Sequence, residues 1–358
     1  MKKRISAFVL VLAAMCMVLA ACGEDKNNTD NTVDTPVASE TDTVTENDTE
    51  EPDNTQEVGM KKITLSGNAE DTFVAEEDCY TEGEDVVLYF AKGLTVRGDM
   101  LEITEYVMEG LEGTTGLNFK HNSKYNDYIE FRGEYLTGDF SNINVGAEKI
   151  NVIIAYDPEG AVYACAYENG AVLDASDYDF EFSGYQTIYH ELAHVIHLRN
   201  AADLSSAMNE GYAEYFSHLA LKYHKLPSWT HIQYFDPYDY DQTPITQGRE
   251  GFNSKFPSKI DNYHYGFRFV MFLEDTYGEG TFMKIAKEAE VQKYDASYDY
   301  YFQEESIKED TDQLAEIIIS QTSEDVFERF VKWNETEFRN KYQEYNDYMN
   351  SKGQVINW

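Results

Sequence analysis

Basic residues are scarce in this chain of 358 residues, which has 28 Lys and Arg against 66 Asp and Glu and a formal net charge of -38. A surface this acidic repels phosphate groups and anionic lipid head groups. Nucleic acid is therefore not an expected partner. Any attachment to a membrane must depend on something other than surface charge. Internal repeats and the glycine-rich loops that bind nucleotide phosphates are also absent from the sequence.

Long apolar runs are missing except near the N-terminus. Basic residues at positions 2–4 precede an apolar run over residues 5–19, which is shorter than the ~20 residues that cross a bilayer. This arrangement predicts a secretion signal over residues 1–21. The segment Leu19-Ala20-Ala21-Cys22-Gly23 resembles the lipobox of bacterial lipoproteins, which makes Cys22 the expected lipid attachment site. We therefore expect an extracytoplasmic protein that is anchored to the bacterial cell membrane through lipid.

Cysteines number only four, and Cys16 and Cys22 belong to the predicted signal and anchor. Cys79 and Cys165 remain for the folded part. Export permits a disulfide between them, but two cysteines without metal-binding spacing do not by themselves predict one. The bridged and the free forms both stay open at this point.

Composition divides the rest of the chain into three parts. Residues 22–58 contain Asp, Glu, Asn and Thr with almost no large apolar side chains, which predicts a disordered acidic linker. Residues 59–182 mix strand-like runs with one helical pattern, and residues 183–358 are mostly helical. We therefore predict an α+β fold in which a small mixed N-terminal sheet lobe with one helix precedes a mostly helical C-terminal lobe.

The predicted strands are rich in β-branched or aromatic residues. They comprise Lys62–Leu65, Val86–Phe90, Tyr128–Phe131 and Ile150–Tyr156, followed by a hairpin of Ala161–Tyr167 and Ala171–Ala175. The predicted helices follow an apolar spacing of three and four residues, and the second opens on a capping box at Ser183. They comprise Leu94–Glu112, Ser183–Leu198, Ser206–Lys222, Asp261–Tyr277, Glu279–Glu290, Asp310–Ser320 and Ser323–Met349.

The motif His190-Glu191-Leu192-Ala193-His194 lies inside one of these predicted helices. Residues four apart on a helix differ by about 40° around the axis and about 6 Å along it, so both imidazoles can reach one ion. Glu191 lies about 100° further round the helix and points beside the ion. A carboxylate there suits a base that takes a proton from a zinc-activated water. The pattern thus predicts a Zn²⁺ site with Glu191 as catalytic base.

A catalytic zinc site usually has three protein ligands and one open position, so a third ligand is needed. Fifteen residues beyond His194, Asn209-Glu210-Gly211-Tyr212-Ala213-Glu214 begins on the next predicted helix. Glu210 is the expected third ligand, with Asp203 as the alternative. Glu214, one turn further on, is expected to accept a hydrogen bond from a ligand histidine and to fix its tautomer.

Together these two helices resemble the gluzincin clan of metallopeptidases, which includes thermolysin-like enzymes and zinc aminopeptidases. The resemblance covers about residues 150–278 and implies a zincin-like fold with a cleft between the sheet lobe and the helical lobe. The Gly-Ala-Met-Glu-Asn sequence by which the aminopeptidases bind a free amino terminus is absent, and the gap between the two motifs is shorter than in either family. Tyr277-Gly278 fits the end of a later helix in a smaller set of bacterial enzymes of this kind.

The resemblance also implies a donor for the oxyanion and a strand that binds the substrate backbone. Tyr263, His264 and Tyr265 compete for the first role, and the position of Tyr263 near the start of the helix that ends at Tyr277 favours it. For the second role, the strand before the first metal helix is the candidate, which is Ala171–Ala175.

Two other motifs are set aside. His197 invites comparison with metzincins, but it occupies their glycine position, and Asn200 occupies their histidine position, so we expect His197 near the site or on the surface. The acidic stretch Tyr234–Asp241 lacks the glycine and the terminal glutamate of a calcium-binding EF-hand loop, so no calcium site is predicted there.

These features predict a monomeric zinc metallopeptidase, more specifically an endopeptidase, that hydrolyses peptide or protein substrates outside the cytoplasm. Two alternatives remain open on the sequence alone. One is a noncatalytic surface lipoprotein with a zinc site, which the presence of Glu191 disfavours because structural zinc sites are closed. The other is a zinc amidase that acts on cell-wall material, since the same metal chemistry serves both reactions.

Overall fold

The structure is a computed structural model, and it describes residues 60–120, 149–156, 164–167, 170–175, 184–201, 204–223, 243–253, 259–294 and 304–351. Several predicted features lie outside these residues. They are the signal, Cys22, the linker, the strand Tyr128–Phe131, the capping residue Ser183, the alternative ligand Asp203 and the stretch Tyr234–Asp241.

Strands occupy the N-terminal part of the described chain. They are β1 (Lys61–Lys62), β2 (Thr72–Val74), β3 (Cys79–Glu82), β4 (Val86–Phe90), β5 (Thr95–Arg97), β6 (Ile150–Ala155), β7 (Ala164–Tyr167) and β8 (Gly170–Asp174). Six of them form one sheet in the order β1-β3-β4-β6-β8-β7, and β2 pairs with β5. The central strands β4, β6 and β8 run parallel and are buried at every residue. Their near-continuous apolar sequences are those of parallel strands that are covered on both faces.

Helices make up most of the remainder. They are α1 (Met100–Thr115), α2 (Gly184–Asn200), α3 (Ser206–Tyr223), α4 (Thr243–Thr246), α5 (Arg249–Asn253), α6 (Lys259–Tyr277), α7 (Thr281–Val291), α8 (Glu304–Gln321), α9 (Val326–Glu335) and α10 (Glu337–Ser351). The fold is therefore mixed, with a sheet region followed by a mostly helical C-terminal part. Among the described residues, no helix has both the length and the apolar character needed to cross a membrane.

The first predicted helix begins later than its apolar pattern indicated. The predicted range was Leu94–Glu112, but Thr95–Arg97 pairs as β5 with β2, and the helix starts at Met100. The β-branched pair Thr95 and Val96 favours an extended chain, and Val96 is buried there. The short strands β2, β3 and β5 were not predicted at all.

The last predicted helix, Ser323–Met349, is two helices instead of one. Helix α9 ends before Thr336, whose φ of -116° and ψ of -70° depart from helical geometry, and α10 starts at the next residue. The break lets Trp333 and Phe338 come together, with ring centroids 5.7 Å apart. Continuous apolar spacing could not show this change of direction.

Cys79 and Cys165 are both free thiols. Cys79 lies on β3 and Cys165 lies on β7, which are separated by four strand spacings in the sheet. At ~4.8 Å per spacing the two strands are about 19 Å apart, far beyond the ~7 Å limit between the Cα atoms of a disulfide. The bridged form that the sequence left open is therefore excluded.

Three helices carry the motifs of interest, and their packing brings those motifs together. Helix α2 packs against the hairpin strands β7 and β8 on one side and against α3 on another. Helix α3 packs in turn against α6, and this contact is the most extensive between any two elements of the described chain. The buried apolar side chains of α2 supply the inward face, namely Ile188, Tyr189, Leu192, Ala193, Val195 and Ile196.

Candidate metal centre

His190 and His194 lie one turn apart on α2, and their rings meet edge to face. The Nε2 atoms of the two rings are 3.0 Å apart, and the ring planes make an angle of 77°. Both rings are half-buried. The four-residue helical offset therefore does what the sequence predicts, because both Nε2 atoms point at the same place.

Glu210 on α3 completes the cluster. Its Oε2 atom lies 3.0 Å from Nε2 of His190 and 3.4 Å from Nε2 of His194. Tetrahedral zinc with bonds of ~2.0 Å separates its ligand atoms by about 3.3 Å. The three atoms are thus spaced as ligands of one ion are, and His190, His194 and Glu210 could hold a metal ion.

The donor set also fits zinc chemically. Two neutral imidazole nitrogens and one carboxylate oxygen are ligands that zinc accepts in catalytic sites, with one position left for water. Burial opposes ionisation of Glu210, but the interactions of this carboxyl with the His194 and His190 rings, including a hydrogen bond with each, lower its pKa to about 2. Glu210 is therefore a carboxylate at neutral pH and is ready to bind a cation.

Glu214 lies on the same face of α3, one turn beyond Glu210. Its Oε1 atom is 3.0 Å from Nδ1 of His190, and its side chain is buried. A proton on Nδ1 donates to this carboxylate and leaves Nε2 free to bind metal. Burial alone would lower the pKa of His190, but the charge of Glu214 and the hydrogen bonds to Glu210 and Glu214 hold that pKa well above its usual value.

Glu191 is buried beside the cluster but does not belong to the group of three ligand atoms. Burial raises the pKa of this carboxyl, and the charges of His190 and His194 oppose the shift. Glu191 directly follows His190 on α2. A carboxyl with a raised pKa is better suited to accept and return a proton than an ordinary glutamate.

The structure separates the three side chains that competed for the oxyanion. The ring of Tyr263 faces the cluster, with its centroid 6.0 Å from that of His190, and the side chain is half-buried. Tyr265 is 2% exposed and packs in the helical core, with ring centroids 5.8 Å from Phe269 and 5.5 Å from Phe330.

His264 lies between these two tyrosines in sequence and is also buried. Burial, and after it the charge of Arg268, lowers the pKa of His264 to about 4, while Glu214 acts in the opposite direction. His264 is therefore a neutral ring at physiological pH. The ring contact between Tyr263 and His190 makes Tyr263 the best placed of the three candidates.

Of the two places expected for His197, near the site or on the surface, the structure excludes the surface. His197 is fully buried, and its ring lies 5.0 Å from that of Tyr212 and 5.1 Å from that of Phe282. Three residues after His194, it lies about one turn further along α2, against rings of α3 and α7.

The candidate substrate strand also requires a correction. Ala171–Ala175 corresponds to β8, which pairs with β6 on one side and with β7 on the other. Its backbone is therefore engaged and cannot accept an added strand. The edge of the sheet on this side, among the strands that the structure describes, is β7, and α2 packs against it.

Arg268 is a buried charge on α6, the helix that carries Tyr263, and the sequence analysis did not identify it. It lies one turn beyond His264 on α6 and is fully buried. Its Nη1 atom donates to Oδ1 of Asn334 over 3.0 Å, and its guanidinium lies 4.1 Å from the centre of the Phe338 ring. The sequence feature that could have identified it is an arginine inside the apolar run Phe267–Leu273. A charged side chain on a buried helix needs a polar or charged partner.

Comparisons with known proteins give only distant structural likeness. No protein-family model matches the chain, and no curated protein matches it. Two solved structures of a functionally unknown conserved protein from Bacillus anthracis str. Ames, the second a mutant, align with TM-scores of 0.41 and 0.39 at 11% and 12% identity. Each alignment covers 75% of this chain and 52% of the other.

A third solved structure is an M1 zinc metallopeptidase from Deinococcus radiodurans, with a TM-score of 0.35 and 13% identity. That alignment covers 74% of this chain and 51% of the other. The chain thus spans about half the length of each of these three structures. All three TM-scores lie below 0.5, so none of these likenesses assigns an activity.

Proposed function

We propose that this chain is a zinc-dependent metallopeptidase, more specifically an endopeptidase, that hydrolyses peptide bonds outside the cytoplasm. The observation that carries the proposal is the convergence of three ligand atoms from His190, His194 and Glu210, with a second carboxyl group, that of Glu191, buried next to them and outside the ligand set. A closed structural zinc site has four protein ligands and no need for such a carboxylate.

Each residue then has a defined role. Zinc held by His190, His194 and Glu210 would polarise the scissile carbonyl and make a water acidic enough to give up a proton near neutral pH. Glu191 accepts that proton and later returns it to the leaving amine. Tyr263 donates its hydroxyl hydrogen to the oxyanion that develops during attack.

Among the strands that the structure describes, β7 is the edge strand next to α2, and this position supports a peptide substrate over other amides. An extended peptide can add to a sheet edge through backbone hydrogen bonds, which orient several residues at once. Because α2 packs against β7 and β8, a strand added at this edge runs past the helix that carries His190 and Glu191. We assign this role to β7 in place of Ala171–Ala175.

The cellular setting belongs to the same proposal. A signal over residues 1–21, a lipid on Cys22 and an acidic linker over residues 22–58 would hold the enzyme at the outer face of the cell membrane as a monomer. The N-terminal lobe would then cover residues 59–182 and the helical lobe residues 183–358. The support for this part is the sequence pattern.

The decisive experiment compares wild type with Glu191→Gln and with a control, Glu335→Gln, at an exposed position on α9. Zinc per chain is measured by metal analysis, and hydrolysis is measured on casein and on peptidoglycan. We expect about one zinc per chain in all three proteins. Casein cleavage should fall by about 10²- to 10⁴-fold in Glu191→Gln, because the base is lost, and should remain in the control.

Other outcomes would point elsewhere. Zinc binding without any hydrolysis would indicate the noncatalytic lipoprotein. Cleavage of peptidoglycan but not of casein would indicate a cell-wall amidase. Loss of zinc in Glu191→Gln would show that this residue is a ligand and not a base, which would contradict the assignment of roles.

A further inference from the structure

Helices α3 and α6 touch through their backbones at two glycines. A Cβ atom added to Gly211 would lie 2.1 Å from the carbonyl carbon of Gly266, and one added to Gly266 would lie 1.9 Å from the carbonyl oxygen of Ala207. The same added atom would be 3.0 Å from Cα of Gly211. Real Cβ contacts are not this short, so any side chain at either position must push the helices apart. Packed helices usually keep 8–10 Å between their axes, and residues with side chains at the crossing set that distance.

This crossing is close in sequence to two residues of the candidate centre. Gly211 follows the ligand Glu210 on α3, and Gly266 lies about one turn after Tyr263 on α6. The two metal-binding histidines are on α2, which contacts α3 independently of α6. A change in the distance between α3 and α6 therefore moves Tyr263 relative to the cluster while leaving the three ligands in place.

We propose that the contact between Gly211 and Gly266 sets the distance from Tyr263 to the metal centre, which makes both glycines positioning residues for the reaction. This inference rests on the proposed function. A hydroxyl that stabilises an oxyanion must lie about 2.7–3.1 Å from it, and this narrow range needs a rigid support. Backbone contact supplies that support, because no side-chain rotamer between the helices can adjust.

The alternative is that the glycines only allow dense packing and stability. The two roles make different predictions. A purely structural role lowers the melting temperature and leaves the remaining folded enzyme as active as before. A positioning role lowers the turnover of folded, zinc-loaded enzyme, and it does so only while Tyr263 has its hydroxyl group.

The test is a double-mutant cycle with Gly266→Ala and Tyr263→Phe in the full chain, with zinc content and melting temperature recorded for each protein. Gly113→Ala in α1 is the control, since an added Cβ there has no atom within 4 Å. We expect Gly266→Ala to lower kcat by roughly 10- to 100-fold, because a misplacement of about 1 Å costs on this order. KM and zinc content should stay within about twofold of wild type. In the Tyr263→Phe background the same substitution should cost less than about twofold.

A second measurement does not depend on hydrolysis. A fluorinated phenylalanine is placed at position 263, and the relaxation of its ¹⁹F signal by bound Co²⁺ is compared with and without the Gly266→Ala substitution. Because the paramagnetic effect falls steeply with distance, a displacement of position 263 away from the metal should weaken it measurably. The Gly113→Ala substitution should leave it unchanged.

Three outcomes would overturn the proposal. One is an equal loss of kcat with and without the Tyr263 hydroxyl. Another is an unchanged ¹⁹F relaxation in Gly266→Ala. The third is failure of both Gly266→Ala and Gly211→Ala to fold, which would assign the glycines to folding. A different result is a wild-type protein without hydrolytic activity whose ¹⁹F relaxation still changes in Gly266→Ala. This result would contradict the proposed function, but it would support the role of the two glycines in setting the distance.

Discussion

His190 and Glu214 are held as a pair, with Nδ1 of the imidazole 3.0 Å from Oε1 of the carboxylate. The other nitrogen of the same ring lies 3.0 Å from Glu210. The two nitrogens therefore have different roles. Nε2 faces the metal position, and Nδ1 contacts the buried carboxylate of Glu214. The side chain of Glu214 is therefore expected to act on metal affinity through His190.

The first prediction concerns that pair. Glu214→Ala should weaken zinc binding by about 10- to 100-fold, because His190 loses the partner that fixes its tautomer and orientation. Competition with a chromogenic chelator measures the change in Kd. Glu335→Ala, at an exposed site, is the control and should match wild type. An unchanged Kd in Glu214→Ala would show that the pair has no influence on the metal.

The second prediction separates the two tyrosines of α6. Tyr263→Phe should lower kcat by about 10²- to 10³-fold with little change in KM, because one donor to the oxyanion is lost. Tyr265→Phe removes the same atom from a ring that packs in the core, and its kcat should stay near that of wild type. Steady-state kinetics on a fluorogenic peptide measures both. Equal effects of the two substitutions would reject the assignment to Tyr263.

The third prediction concerns pH. Burial and Arg268 lower the pKa of folded His264 to about 4, whereas its unfolded value is 6.5. As pH falls from 6.5, the unfolded chain takes up a proton on this ring before the folded chain does, so stability is lost. The neutral ring thus contributes stability that is present above pH 6.5 and is lost as pH falls through about 4.

Over that interval the loss should be about 3 kcal/mol, since each unit of pKa shift corresponds to ~1.4 kcal/mol. Urea unfolding of wild type and of His264→Gln, both with chelator present so that metal release does not contribute, gives the free energy of unfolding at pH 7, 5.5 and 4. The wild-type curve should fall more steeply than that of the variant. Parallel curves would contradict a depressed pKa at His264.

The fourth prediction concerns the two thiols. Burial, with smaller contributions from Asp78 and Glu77, raises the pKa of Cys79 to about 11, so its thiol stays protonated and covered. Cys165 on the edge strand β7 is partly exposed. Iodoacetamide should label Cys165 in the native protein and should reach Cys79 only after unfolding. Site-resolved mass spectrometry reads out both positions, and a Cys79–Cys165 linked peptide would contradict the free thiols.

The sequence predicted those features of the fold that depend on residues within a single helix or strand. The strand Val86–Phe90 and the end of α6 at Tyr277 match their predictions, because apolar composition and a following glycine act over a few residues. The prediction of a single helix from Ser323 was wrong, because local spacing does not show where a helix is interrupted. One helix ends before Thr336 and the next starts after it, and the rings of Trp333 and Phe338 pack together across this break.

The sequence by itself determined the facts that depend on spacing along one helix. Two imidazoles four residues apart reach one point, and Glu191 stands about 100° beside them. The tertiary structure alone decided how far Glu210 lies from that point and which side chain of residues 263–265 is nearest to it. It also decided that β7, and not Ala171–Ala175, is the edge among the strands that the structure describes. Consecutive helical residues point in different directions, and distances between elements follow from how backbones pack, as at Gly211 and Gly266.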